Sequence, residues 1–111
     1  MIDKLTQLLA GTEQALLEAE EVADGTHFND QVGRGVPLPK HLHAQGIEAL
    51  KLAYGAEFAA LLGKTDASMQ HHAASAAYYN FHHSLKEAGF TRFGAKMLKR
   101  SHNHRKAAVG Q

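Results

Sequence analysis

The chain has 111 residues, a formal net charge of +1 and a hydrophobic fraction of 44%. This size suits a single domain, and the apolar fraction is too high for a disordered chain. The absence of cysteine excludes disulfide bonds, thiolate zinc sites and cysteine nucleophiles. The sequence shows neither an export signal nor an apolar run of the roughly 18 residues that a membrane-spanning helix needs. We therefore expect a cytoplasmic protein with no membrane partner, or a component of a virion if the gene is of phage origin.

Charge is unevenly distributed along the chain. Residues 1–30 carry seven acidic side chains and one basic one, whereas residues 86–106 carry seven basic side chains and one acidic one. Such asymmetry indicates either a polyanionic partner at the basic end or pairing of the two ends within the fold or within a dimer. The sequence leaves both alternatives open.

The hydrophobic pattern predicts an all-α fold, a small bundle of about four helices. Apolar side chains in residues 2–23 recur every three or four positions, a short heptad seam that can pack within the fold or against a second copy. A long loop is expected over residues 24–38, which contain three glycines and a proline. The predicted helices cover residues 3–23, 40–62, 66–88 and 92–101. Residues 1–100 would then form the single domain.

The basic tail, residues 101–111, is expected to fray, because it is polar and then small. Upstream of it, the predicted fourth helix has apolar anchors at Phe90, Phe93, Met97 and Leu98. Its cations would lie on the outside.

The predicted helix over residues 66–88 has no charged residue between Asp66 and Lys86. A helix that is uncharged all round is typical of the centre of a fold. Small residues such as Ala73 and Ala76 define one side, where a neighbouring backbone could approach closely. If the helix is not central, its other side faces a partner. That expected partner interface consists of His71, Tyr78, Tyr79, His82 and His83.

Nine histidines suggest metal binding or a response to pH. Chelation on a helix needs ligands three or four positions apart. The pairs His71-His72 and His82-His83 are adjacent instead, and adjacent helical residues point about 100° apart. We assign no metal ligand and no cofactor, while a site assembled between helices or chains stays open. Protonation of these histidines would charge an otherwise uncharged helix, so mild acid should loosen the fold or release a partner.

Residues 55–74, GAEFAALLGKTDASMQHHAA, resemble the helix-turn-helix of bacterial and phage DNA-binding proteins. Ala59 matches the small position and Gly63 the turn glycine. Apolar anchors match at Phe58, Leu62 and Met69. The resemblance implies that the second helix enters the major groove through Ala67, Ser68, Gln70 and His71. The sequence departs from the pattern at Lys64 and His72, where apolar residues are usual.

No catalytic motif is present, since the sequence lacks a G-x-S-x-G turn, a P-loop and paired carboxylates on an apolar helix face. We therefore expect a non-enzymatic protein without catalytic residues. The leading hypothesis is contact with nucleic acid through the basic C-terminal helix and tail. The residues assigned to this contact are Arg92, Lys96, Lys99, Arg100, Arg105 and Lys106. One alternative is an oligomeric or virion assembly component that binds a protein partner, and a second is a His-rich metal-binding or pH-responsive protein.

Overall fold

A computed structural model describes residues 25–110 of the chain. Two short strands come first, β1 (Thr26–Asn29) and β2 (Arg34–Pro37). Three helices follow, α1 (Lys40–Leu61), α2 (Ala67–Glu87) and α3 (Thr91–Val109). Helix α2 is central, because both α1 and α3 pack against it, and β1 packs against α3.

The described residues are thus mostly helical, but they do not form the expected four-helix bundle. They contain three helices and a small antiparallel sheet. The helix expected over residues 3–23 lies outside the described range. The bounds expected for the next two helices are confirmed to within one residue.

The long loop expected over residues 24–38 is instead largely a β-hairpin. Strands β1 and β2 pair antiparallel from Thr26 opposite Pro37 to Asn29 opposite Arg34. The turn closes where the Gly33 amide donates to the Asn29 carbonyl at 2.7 Å, with Gly33 at a φ of 80°. Glycine adopts this left-handed conformation without the steric cost of a Cβ. Glycine and proline marked the segment as irregular in sequence, yet here they serve the turn and the end of an edge strand.

The hairpin is fixed to the turn between α2 and α3. The Asn29 side-chain amide donates to the Ala88 carbonyl, and the Asp30 backbone amide donates to the Gly89 carbonyl, both at 2.9 Å. Gly89 has a φ of 98°, and a Cβ at this position would lie 2.6 Å from Asn29 Oδ1. The turn glycine therefore permits both the left-handed backbone and the close approach of the hairpin.

The buried side of α2 differs from the expected small side. Ala73 and Ala76, expected to face a neighbouring helix, are exposed. The buried side recurs every three or four residues and comprises Ala67, His71, Ala74, Tyr78, Phe81 and Leu85. Burying Phe81 and Leu85 removes more apolar surface from water than burying alanines would, which decides the orientation of the helix.

Helix α3 continues to Val109, well beyond the predicted end at residue 101. Of the expected anchors, Phe90, Phe93 and Met97 are buried and Leu98 is partly buried. Near the other end, Ala108 is buried and its carbonyl accepts a hydrogen bond from Ser68 Oγ at 2.9 Å. Residues 101–109 of the tail expected to fray are therefore helical, because α2 packs against this part of α3.

Candidate functional site

Helices α2 and α3 approach each other closely through small side chains. Ser75 Oγ donates to the Ser101 carbonyl, and Ser101 Oγ donates to the Ser75 carbonyl, each at 2.8 Å. Nearer the turn, a Cβ at Gly94 would lie 3.2 Å from the His82 carbonyl oxygen. Because the backbones are so close, side chains that flank the contact on the two helices form one continuous surface.

The outer side of α3 is basic. The helix holds six lysines and arginines and no acidic residue. Four of the cations, Arg92, Lys96, Lys99 and Lys106, are exposed and recur at intervals of three, four or seven residues. At about 1.5 Å rise per residue they follow one side of the helix for about 21 Å. This side lies opposite the buried Met97 and Ser101.

The remaining arginines of the predicted contact occupy different surroundings. Arg100 is partly buried, and its Nη1 lies 3.7 Å from Met97 Sδ. Arg105 is exposed and lines a groove on the α2 side of the helix. Arg92 also has an internal contact, because its guanidinium lies 4.3 Å from the centre of the Phe28 ring in β1. The six predicted residues therefore share α3 but not one uniform surface.

A shallow groove of about 320 Å³ runs between α2 and α3. Its lining consists of His72, Ser75, Ala76, Tyr79, Ser101, His102 and Arg105. The Tyr79 ring at its edge is 47% exposed, and the ring centres of His82 and His83 lie 5.3 and 4.8 Å away. Among residues 25–110, no acidic side chain lines the groove. The sequence did not indicate this groove, since its two walls lie about 26 residues apart at Ser75 and Ser101.

Lys86 and three histidines also lie beside the aromatic edge of the groove. The pKa of His82 is lowered by burial and, to a smaller extent, by the charges of His83, Lys86 and His102. His102 belongs to α3, so ionisable side chains of both helices lie on this side of the molecule. Such a surface favours an anionic ligand.

The expected partner interface is divided by the fold. Tyr79, His82 and His83 reach the surface to different extents, but His71 and Tyr78 are only 5% and 1% exposed. Both buried side chains face α3, where His104 lies against each of them. The five residues therefore do not form one exposed surface, because α2 turns His71 and Tyr78 into its contact with α3.

The positions assigned to the major groove by the helix-turn-helix resemblance are engaged within the fold. Ala67 and His71 are buried, and Ser68 donates to the Ala108 carbonyl. Gln70 donates from its side chain to Asp66 Oδ2 at 2.8 Å. The resemblance itself stays a prediction.

Neither the described side chains nor the comparisons with known proteins identify a known type of site. Residues 25–110 contain no group of three or more His, Asp or Glu side chains placed to hold one metal ion. None of the helices in this range combines the length and hydropathy that crossing a bilayer requires. Comparison with protein-family models, with curated proteins and with solved structures finds no match to the chain. The function is therefore argued from the surface of α2 and α3.

Proposed function

We propose that this chain binds nucleic acid through the exposed basic side of α3. The observation that carries the proposal is a helix of 19 residues with six cations and no acidic residue, four of the cations lying along one exposed side. Phosphates spaced along a nucleic-acid backbone match such a row of charges. Binding to it would release condensed counterions, which is the main source of sequence-independent affinity.

The spacing of the cations supports a ligand that offsets their repulsion. Arg92 and Lys96 are four residues apart, and Lys96 and Lys99 are three apart. Like charges at these intervals destabilise a helix by about 0.2–0.5 kcal/mol per pair. A phosphate backbone along the same side would replace this repulsion by attraction.

The test measures binding as a function of salt. The double variant Lys99→Gln/Lys106→Gln removes two exposed cations of α3, and Lys40→Gln/Lys64→Gln removes two exposed cations elsewhere as a charge-matched control. We expect the first variant to weaken binding of a labelled oligonucleotide and to reduce the slope of log affinity against log salt by about 1 to 2. Equal losses in both variants, or no binding by the parent chain at low salt, would contradict the proposal.

A protein-assembly role is the second candidate, and exposed apolar side chains support it. Phe58 near the end of α1, Leu62 just after that helix and Met69 in the first turn of α2 are all exposed, Met69 to 75%. Removing such side chains from water favours a protein contact that persists in salt. Light scattering after size exclusion at low and high salt, with and without an oligonucleotide, distinguishes the two functions. A defined complex that survives high salt without nucleic acid favours assembly.

A further inference from the structure

We infer that the nucleic acid is single-stranded, that an unstacked base lies against Tyr79, and that Arg105 holds a phosphate in the groove between α2 and α3. The inference rests on the proposed function and extends the contact from the basic side of α3 to the groove beside it. Three features carry it: an exposed aromatic ring, an arginine that lines the groove together with histidines of both helices, and the engagement of the alternative duplex-reading positions within the fold.

The aromatic ring is placed for stacking. Tyr79 lines the groove and remains 47% exposed, although tyrosine has a large apolar surface. His83 meets its ring nearly edge-on, at 81° between the planes, which leaves a ring face without that contact. Every base has a π face, so stacking on such a ring tolerates any sequence. Bases in a duplex are already stacked on each other and cannot use the ring without being displaced.

The charges suit a phosphate beside that base. Arg105 and His102 line the groove from α3, and His72 lines it from α2. The guanidinium of an arginine presents donors that match phosphate oxygens in pairs. Within the part of the chain that the structure describes, the groove has no acidic lining residue, so a phosphate entering it meets no like charge from those residues. The outer cations of the same helix, among them Lys99 and Lys106, then continue the path of the backbone.

Duplex recognition has less support in this arrangement. A helix that reads a major groove presents side chains near its N-terminus to base edges. In α2 these positions include Ala67 and His71, which are buried, and Ser68, which is bonded to α3. The accessible aromatic side chain of α2, Tyr79, lies further along the helix beside the groove, and a flexible single strand can follow that groove.

The experiment uses the full chain and measures anisotropy with three labelled probes: a strand of twelve thymidines, a duplex of the same length and a glutamate oligopeptide of similar charge. We expect the single strand to bind roughly tenfold more tightly than the duplex and than the peptide. Tyr79→Leu should weaken single-strand binding roughly tenfold, as is usual when one stacking aromatic is removed, and should change duplex binding by less than about twofold. Tyr79→Phe keeps the ring and should bind the strand as the parent does.

Arg105→Gln should weaken binding of the single strand and lower its salt dependence, whereas Arg34→Gln, which removes an exposed arginine of β2 outside the groove, is the charge-matched control and should change both less. Circular dichroism and thermal unfolding establish that each variant is folded. Equal affinity for strand and duplex, or unchanged single-strand binding in Tyr79→Leu, overturns the inference and leaves the proposed function standing. If the glutamate peptide binds as tightly as the single strand, the inference is overturned in favour of an acidic protein partner. Absence of binding to both nucleic acids overturns the inference and the proposed function together.

Discussion

The Nδ1 atoms of His71 and His104 lie 2.9 Å apart across the contact between α2 and α3. One imidazole must donate and the other accept at this distance, so the hydrogen bond needs one Nδ1 without a proton. Tyr78 stacks beside the pair, its ring centre 5.7 Å from that of His104. The contact between α2 and α3 thus depends on the protonation states of two histidines.

Lowering the pH should destabilise the fold through this pair. Burial, and to a smaller extent the charge of His71, lowers the pKa of His104 from 6.5 to about 4, and burial also lowers the pKa of His71. Because the unfolded chain binds these protons more readily, the free energy of unfolding is greatest above about pH 6.5 and falls as the pH drops towards 4. With partial solvent screening we expect a loss on the order of 2 kcal/mol.

Urea unfolding at several pH values between 7.5 and 4.5 measures this loss. His104→Gln should be less stable than the parent at pH 7.5 but should show a flatter dependence on pH. His102→Gln, which changes an exposed histidine two residues away, should retain the dependence of the parent. A free energy of unfolding that is the same at pH 7.5 and pH 5 would contradict the role of the pair.

The sequence predicted the parts of this architecture that depend on local signals. The predicted helix ends at residues 62 and 88 are each followed by a glycine, Gly63 and Gly89, and both adopt the positive φ that favours glycine at such positions. The hairpin was missed because its four-residue strands contain Gly35 and Pro37, whose usual meaning is an irregular loop. Its stability comes from Asn29, which bonds to a carbonyl 59 residues further along the chain.

The candidate site depended on contacts between distant residues, so the sequence located only its cations. The six basic residues were predicted and all lie on α3. The groove was missed because it requires α2 and α3 to pack at the two serines, and serines carry no apolar periodicity. The contact of His71 with His104 was missed for the same reason, since 33 residues separate them.

Enlarging Ser101 should separate α2 from α3. Ser101 is buried and exchanges hydrogen bonds with Ser75, so Ser101→Val adds volume where the helices touch and removes a bonded hydroxyl. Overpacking and the lost hydrogen bond together should cost about 2–4 kcal/mol. Asn103→Val places the same β-branched residue on the exposed side of α3, where it meets neither of the other described helices, and should cost under about 1 kcal/mol. Chemical unfolding of both variants checks the difference, and comparable losses would show that packing at Ser101 is unimportant.

Adding a methyl group at Gly89 should be more costly than at Gly63. Both glycines have positive φ, but a Cβ at Gly63 meets nothing within 4 Å, whereas at Gly89 it lies 2.6 Å from Asn29 Oδ1. Gly63→Ala should therefore cost about 1–2 kcal/mol for the left-handed backbone alone. Gly89→Ala should cost more, because Asn29 must also move and give up its bond to Ala88.

A double-mutant cycle with Asn29→Ala isolates this contact. Once the asparagine is shortened, Gly89→Ala should cost nearly as little as Gly63→Ala, which gives a coupling of about 1–2 kcal/mol between the two positions. Thermal unfolding of the four chains measures it. Additive effects of the two substitutions would show that the hairpin does not bear on the turn.

Neutralising acidic residues near the N-terminus should strengthen nucleic-acid binding if the acidic segment competes with nucleic acid for the basic side of α3. Residues 1–24 carry six acidic side chains and one lysine, and within one chain they act at a high effective concentration. We expect Glu18→Gln/Glu21→Gln to raise the affinity for the oligonucleotide several-fold at low salt and little at high salt. Glu48→Gln/Asp66→Asn changes the net charge equally at exposed positions of the α1–α2 part and serves as the control. Fluorescence anisotropy at two salt concentrations measures the affinity of each variant for the oligonucleotide. A larger gain in affinity for the N-terminal pair shows that the acidic segment competes for the basic side of α3. Equal gains in affinity show that only net charge matters.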